Sequence, residues 1–310
     1  MEELEPRRAP VVFDESPCRS ALNRVQGMPF NWSLNPYMGC EHRCTFCYVR
    51  AFEKRADRAS GDGYGRTVRV KTNVAEVLDQ ELSRRSWHGE QVAIGAATDP
   101  YQPAEGRYRL TRACLGVLAR HRNPASLITR GPMVVRDVDV LTDLARRGGV
   151  SVSFSVPTLD HEVWRRTEPG TAPPEQRLRA MRRLTEAGIR AGVSMAPILP
   201  GLSDRPDQLA RVVAGAREAG ASFLWVNLLY LREGTREHFL GALARDWPDL
   251  LPRYEALYRG RAYLPEPATR PVTDQVGELR RHLGGWEPPR PVIEPVPREP
   301  EPEQLTLLAS

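Results

Sequence analysis

Six short β-rich runs separated by helical periods constrain this chain more than any other feature. They lie at 31–38, 91–98, 125–130, 150–156, 189–199 and 221–231. Between them, apolar residues recur at helical spacing: Leu110, Cys114, Val117 and Leu118, then Leu178, Met181 and Leu184, then Leu209, Val212, Val213 and Ala216. Gly148, Gly149, Gly188 and Gly220 each stand just ahead of a strand, where a helix closes. Such alternation predicts a parallel α/β sheet. The run at 150–156 discriminates further. Val150, Val152, Phe154 and Val156 share one face, and Ser151, Ser153 and Ser155 share the other. One apolar face for covering helices and one small polar face suit a barrel with a ligand in its lumen. A doubly wound sheet buries both faces and wants both apolar. No G-x-G-x-x-G follows the first run, which argues against a dinucleotide fold.

The rest of the chain divides around this core. Residues 1–30 show weak periodicity and read as an N-terminal extension. The core is expected over 31–232, C-terminal helices over 233–286, and a disordered tail over 287–310. Residues 287–303 contain seven prolines among alternating charges, the composition of an extended linker. With 310 residues the chain can bury a large core without disulfides. No apolar run approaches the length a bilayer needs, and no secretory signal is visible, so a cytoplasmic protein with no membrane contact is expected. Net charge is only +5, but Lys54 and Lys71 are the only lysines, so arginine carries almost all the positive charge. That balance permits a nucleic-acid partner without requiring one.

The chemistry concentrates at Cys40-Glu41-His42-Arg43-Cys44-Thr45-Phe46-Cys47, a C-x3-C-x2-C loop directly after the first run. Five cysteines, three of them within eight residues, make a poor disulfide framework and point to a metal or to catalysis. Three thiolates on one loop suit three irons of a [4Fe–4S] cluster, with the fourth iron left for a substrate or cofactor. Two alternatives stand beside this. Zinc could take Cys40, Cys44, Cys47 and His42, although structural zinc usually joins separated ligand pairs. A fully capped electron-transfer cluster would recruit Cys18 or Cys114. Cys114 falls on the apolar stripe of its helix and reads as core, and Cys18 lies in the extension.

The octet resembles the signature loop of radical S-adenosylmethionine enzymes, with Phe46 at the aromatic place before the last cysteine. Asn35-Pro36-Tyr37, Thr98-Asp99-Pro100-Tyr101-Gln102-Pro103 and the stretch from Pro197 to Asp204 are similar to the branch containing spore photoproduct lyase and DNA-repair-photolyase-like proteins. The resemblance implies a partial (β/α)6 TIM-like barrel. It implies a [4Fe–4S] cluster on Cys40, Cys44 and Cys47, with S-adenosylmethionine on the open iron, cleaved reductively to a 5′-deoxyadenosyl radical. It also implies a flavodoxin- or ferredoxin-type electron donor, and a nucleic-acid substrate for repair or modification. A protein or small-molecule substrate is the alternative, and a metal-stabilised nucleic-acid-binding module the non-enzymatic one. Spore photoproduct lyase uses a hydrogen-donating cysteine, and neither Cys18 nor Cys114 can be placed in that role from the sequence.

In parallel barrels, ligands sit at the C-terminal ends of strands. That rule selects Phe46 and Tyr48 after the first strand, Thr98 and Asp99 after the second, and Thr129 and Arg130 after the third. Ser153 and Ser155 on the fourth, Ser194 with its neighbour Met195 on the fifth, and Asn227 on the sixth complete the ring. Thr98-Asp99 stands where the family more often has Gly-Gly-Glu, and Asp99 would accept from an ammonium. Arg130 would neutralise a carboxylate or phosphate. Glu168, with Arg165 and Arg166, follows the fourth strand and reads as a surface charge cluster. Finally, Gln304-Leu305-Thr306-Leu307-Leu308 resembles a peptide that docks on the bacterial sliding clamp, here on a flexible tether.

Overall fold

A computed structural model describes residues 10–284 and Trp286. The tail and its Gln304–Leu308 peptide lie outside the described residues. The strands, in chain order, are β1 (Val12–Ser16), β2 (Leu22–Arg24), β3 (Trp32–Leu34), β4 (Tyr37–Met38), β5 (Thr67–Lys71), β6 (Val92–Ile94), β7 (Ala125–Thr129), β8 (Val150–Ser155), β9 (Arg190–Ile198) and β10 (Leu224–Leu228). The helices are α1 (Val49–Arg55), α2 (Val74–Leu82), α3 (Ala104–Tyr108), α4 (Leu110–Arg120), α5 (Val138–Arg147), α6 (His161–Thr167), α7 (Pro174–Glu186), α8 (Pro206–Glu218), α9 (Thr235–Asp246), α10 (Leu251–Leu257) and α11 (Glu266–Leu283).

Seven strands form the main sheet in the order β10-β9-β8-β7-β6-β3-β2. The six expected strands are all present and all parallel. β2 joins the β3 edge antiparallel. The architecture is the partial barrel anticipated above, and the two edge strands do not pair with each other. Strand β8 follows its sequence pattern: Val150, Val152 and Phe154 are buried against the helical layer. Leu115 and Leu118 of α4, Leu144 of α5, Leu184 of α7 and Val212 of α8 share one core with Ile94, Leu127, Val152 and Val193 of the sheet. Removing this apolar surface from water is the main force holding helices to sheet.

Residues 10–30 differ from the expected plain extension. β1 pairs parallel with β5, which also takes β4 antiparallel, giving a small second sheet. β1 is too exposed to show an apolar alternation, with only Phe13 and Ser16 half-buried. Its ordering comes from the ladder to β5, whose Val68 and Val70 are buried. The second sheet matters because β4 leads directly into the cysteine loop. Helices α9, α10 and α11 occupy much of 235–283, and α9 and α10 close over that same loop. Phe239 and Leu243 of α9 and Tyr254 of α10 pack with Leu199, Leu229, Cys44 and Phe46 in a second core.

Among the described residues, no helix is long and apolar enough to cross a membrane.

Candidate active site

The cysteine loop is held rigidly from several sides. Gly39 opens it with φ +84°, where a Cβ would lie 2.6 Å from the Thr67 carbonyl oxygen, so only glycine fits without strain. Gly170, beyond α6, packs as closely on the other side. A Cβ there would meet the Glu41 carbonyl oxygen at 2.4 Å. Gly170 N donates to the His42 carbonyl (3.1 Å) and Thr45 N to the Thr167 carbonyl (2.8 Å). From α9, the Thr235 hydroxyl donates to the Cys47 carbonyl at 3.1 Å.

The segment after β6 braces the loop from beneath. Gln102, with no solvent exposure, donates from Nε2 to the Gly39 carbonyl (3.1 Å) and to Thr98 Oγ1 (2.9 Å). Its Oε1 accepts from Glu41 N at 3.0 Å. The Thr98 hydroxyl donates to the same Gly39 carbonyl at 2.7 Å. Asn35 Oδ1 accepts from Ala97 N at 2.8 Å, which ties the end of β3 to the end of β6. The Tyr37 hydroxyl bonds the buried Glu105 carboxylate. Asn35, Tyr37 and Gln102, which lie in the stretches that carry the family resemblance, are thus the internal scaffold of the site.

The loop encloses one side of a cavity of about 310 Å³. Cys40, Cys44 and Cys47 all line it, together with Phe46, Tyr48, Thr98, Asp99, Thr129, Arg130, Ser155, Ser194 and Asn227. Ser153 and Met195 are not among the lining residues. Met195 is fully buried in the core, and Ser153 sits deeper along β8, below Ser155. Sequence reasoning missed Met28, Tyr64, Ala196, Pro197 and Tyr230, which also line the cavity. Met28, Tyr64 and Tyr230 lie in loops, where no period marks them, and Ala196 and Pro197 lie near the C-terminal end of β9.

Asp99 is more enclosed than its position suggested. Oδ1 accepts from Tyr101 N (2.8 Å) and the Thr129 hydroxyl (2.7 Å), and Oδ2 accepts from Arg130 N (2.7 Å). His42 Nδ1 lies 3.2 Å from Oδ2, off the axis of a good hydrogen bond. Burial alone would raise the Asp99 pKa. The His42 ring and the three donors outweigh it and hold the carboxyl at about 2. With both oxygens engaged, Asp99 fixes the position of Arg130 and His42 and has little lone-pair capacity left for an ammonium. His42 in turn belongs to Asp99, which counts against the zinc set that used it. Among the described residues no three His, Cys, Asp or Glu side chains could hold a single metal ion. A four-iron cluster does not need such convergence, because each thiolate takes a different iron.

Asp99 stabilises the fold in a pH-dependent way. Its folded pKa lies below the unfolded value of 3.8, so its stabilisation is complete above about pH 4 and lost as pH falls toward 2. Asp99→Asn should cost about 2–3 kcal/mol at neutral pH. Urea unfolding of cluster-free protein across pH checks this. A difference from wild type that stays constant down to pH 2 would contradict it.

Arg130 donates from Nε to Glu168 (2.6 Å) and from an Nη to the Ala196 carbonyl (3.2 Å), and its guanidinium lies 5.6 Å from the centre of the Phe46 ring. Glu168 is fully buried, in contrast to the surface charge expected from the sequence. It also binds Arg177, itself fully buried, through two contacts of 3.1 Å. Arg177 was not singled out in the sequence. It lies on the buried side of α7 and donates to the Ser155 carbonyl at 2.8 Å. Burial would raise the Glu168 pKa, but the two guanidinium groups keep it below the usual glutamate value.

The thiols are buried in a setting that does not favour anions. Burial pushes Cys40 well above its ordinary value and Cys44 up to about 12, despite the nearby Arg130. A thiolate forms in such a place where a metal takes the place of the proton. Three thiols of one loop on one wall, with open space beside them, fit a [4Fe–4S] cluster. Cys18 and Cys114 do not line the cavity. Cys114 is fully buried in the main core, and Cys18 packs against that core.

Comparison with known proteins gives this geometry a context. The chain is 39% identical over 286 residues to an uncharacterized protein of Mycobacterium tuberculosis, covering 91% of this chain and 84% of that one. It is 29% identical over 215 residues to an uncharacterized protein of Acidianus two-tailed virus, covering 67% and 70% of the two chains. Among solved structures it is similar to a spore photoproduct lyase variant with bound AdoMet and dinucleoside spore photoproduct. The TM-score is 0.69, identity 14%, and coverage 89% of this chain and 80% of that chain, a likeness of fold. The profile of the Radical SAM superfamily matches residues 34–240, which span the cysteine loop and the five parallel strands β6 to β10. The cofactors of that superfamily are a [4Fe–4S] cluster and S-adenosylmethionine. The chain therefore belongs to the Radical SAM superfamily of enzymes.

Proposed function

We propose that Cys40, Cys44 and Cys47 hold the cluster and leave one iron open to S-adenosylmethionine, and that the enzyme acts on a base of a nucleic acid. The observation that carries this reading is that the three thiols share one cavity with polar side chains on or just after five successive strands, β6 to β10. When bound, the reduced cluster supplies the electron that splits the cofactor's sulfonium, and a 5′-deoxyadenosyl radical results.

The chain's own residues do the positioning. Arg130, oriented by Glu168, Ala196 and the Asp99-bound backbone, offers a fixed cation for the cofactor's carboxylate. Ser155, Ser194 and Asn227 present hydroxyl and amide groups suited to ribose and adenine. Phe46 and the apolar lining by Leu228 and Leu229 keep water from the reacting centre.

The rim of the cavity supports a nucleic-acid substrate. Tyr48 and Phe52, both exposed, meet edge-to-face at 5.9 Å. Tyr230 and Tyr263 lie 4.4 Å apart, and Tyr263 is 68% exposed. Arg55 sits 4.9 Å over Phe52, and Arg232 5.9 Å from Tyr230. Exposed rings with arginines on them suit stacked bases and their phosphates. The structurally similar spore photoproduct lyase, with its bound dinucleoside photoproduct, points the same way. Among the described residues, the cavity's hydroxyl-bearing rings are Tyr48, Tyr64 and Tyr230, and its thiols are those of the loop.

The test is anaerobic reconstitution, reduction with dithionite and detection of 5′-deoxyadenosine by mass spectrometry. Single-stranded, damaged and modified oligonucleotides would be added in turn. Product formation that rises with an oligonucleotide supports the reading. Its absence under all conditions overturns the cluster assignment. Formation that no nucleic acid changes overturns the substrate assignment.

A further inference from the structure

The cysteine loop is a wall one residue thick, and it has a second side. Cys40, His42, Cys44, Phe46 and Cys47 line the cavity, whereas Glu41 and Thr45 line a separate cleft of about 370 Å³ behind it. Arg43 borders both spaces. The far wall of the cleft comes from α6 and α9. Five arginines line it, Arg43, Arg50, Arg165, Arg166 and Arg245, against the carboxylates of Glu41, Asp62 and Asp246. The neighbouring His238 adds no charge at neutral pH. Burial and the arginines around it hold its pKa down to about 4, against the opposing pull of Asp62.

Much of this basic face is fixed in place. Arg245 grips Asp246 with two bonds of 3.2 and 2.7 Å and remains 67% exposed. Arg166 pairs with the Glu162 carboxylate at 2.9 Å, donates to the Asp246 carbonyl at 3.0 Å and lies 5.5 Å from the centre of the Trp247 ring. Arg50 is 1% exposed, and its bonds go to the carbonyls of Arg43, Cys44, Ser60 and Gly61, with no carboxylate among them. The face therefore carries excess positive charge, and one part of it is buried against the loop itself.

A substrate cannot be the occupant, because the loop separates the cleft from the cavity where chemistry happens. An electron needs no such passage. It requires only that its carrier come close to the thiols, and the back of the loop is a short route to them. We propose that this cleft is the docking face for a small acidic protein that carries one-electron reducing equivalents. The proposal rests on the cluster reading above. One electron leaves the carrier, which is oxidised, and enters the cluster, which is reduced; no atom is transferred. Charge complementarity of this kind mainly accelerates and orients encounter, and it weakens with salt.

The probe is an acidic flavodoxin, and the variant is the double charge reversal R165E/R245E. Two readouts are taken: flavodoxin affinity by titration, on both cluster-loaded and cluster-free protein, and the rate of cluster reduction in stopped flow. For the wild type, affinity should fall steeply as salt rises. The variant should lose roughly tenfold in affinity at low salt and most of its salt dependence. Its reduction by flavodoxin should slow in parallel while reduction by dithionite, which needs no docking, is unchanged. Unchanged flavodoxin affinity in the variant overturns the proposal. So does a variant that loses oligonucleotide binding instead, which would make the cleft a phosphate surface. If dithionite reduces no cluster even in the wild type, the cluster reading fails separately, and the affinity on cluster-free protein still decides the docking face.

Discussion

Replacing any one of Cys40, Cys44 or Cys47 by Ala should abolish 5′-deoxyadenosine formation and bleach the brown colour of the anaerobically reconstituted protein. Each thiol is expected to hold a different iron, so no remaining group can substitute for a lost one. The described residues offer no fourth thiol on the cavity wall. The fold should survive, because a cysteine side chain is small and its truncation costs about 1 kcal/mol. Cys114→Ala separates the two effects. That thiol is fully buried among the apolar residues of α4 and the sheet. Its loss should lower stability by a similar amount and leave iron content and turnover as in the wild type. Iron analysis, visible absorbance and urea unfolding on the four variants check this. A loop variant that keeps full iron and full turnover would remove the basis of the proposed function.

The contrast between these cysteines shows what a sequence displays and what it hides. Cys114 sits at helical spacing from Val117 and Leu118, and that period marked it as core. Cys40, Cys44 and Cys47 break every period, and their close spacing marked them as chemistry. The six parallel strands were visible for the same reason, since β8 alternates valine and phenylalanine with serine. β1 was not, because its order comes from pairing with β5 rather than from a pattern of its own.

Within the site, residues at strand ends could be selected in advance because the barrel rule fixes where ligands lie. Their partners could not. Nothing local marks Gln102 as the brace beneath the cysteine loop, or His42 as the companion of Asp99. Glu168 looked like surface charge beside Arg165 and Arg166. Its burial depends on Arg177, nine residues onward in α7, and on Arg130, just past the end of β7. Long-range polar pairs have no sequence period, and at this site they supply much of the positioning.

That makes Glu168 the strongest single test of how fold and site are joined. Glu168→Gln keeps the shape and removes the charge, leaving the fully buried Arg177 and the mostly buried Arg130 without their shared anion. Breaking a buried pair in this way costs about 3–5 kcal/mol, because the remaining cation keeps its desolvation cost. For a chain of this size that corresponds to a fall in melting temperature of roughly 10 °C. The pH dependence has a definite sign. The carboxyl pKa is depressed in the folded state, so its contribution is present above the ordinary glutamate range and fades as pH drops below it. The variant's deficit should therefore shrink in acid. The same substitution loosens Arg130, so S-adenosylmethionine binding should weaken even at temperatures where the variant is fully folded. Arg177→Met offers the comparison. It removes the other buried cation and the bond to the Ser155 carbonyl while leaving the Arg130–Glu168 contact in place, so it should lower stability with a smaller effect on cofactor affinity. Equal losses of affinity in the two variants, or a loss of stability below about 1 kcal/mol in Glu168→Gln, would mean that the buried carboxylate does not organise the site.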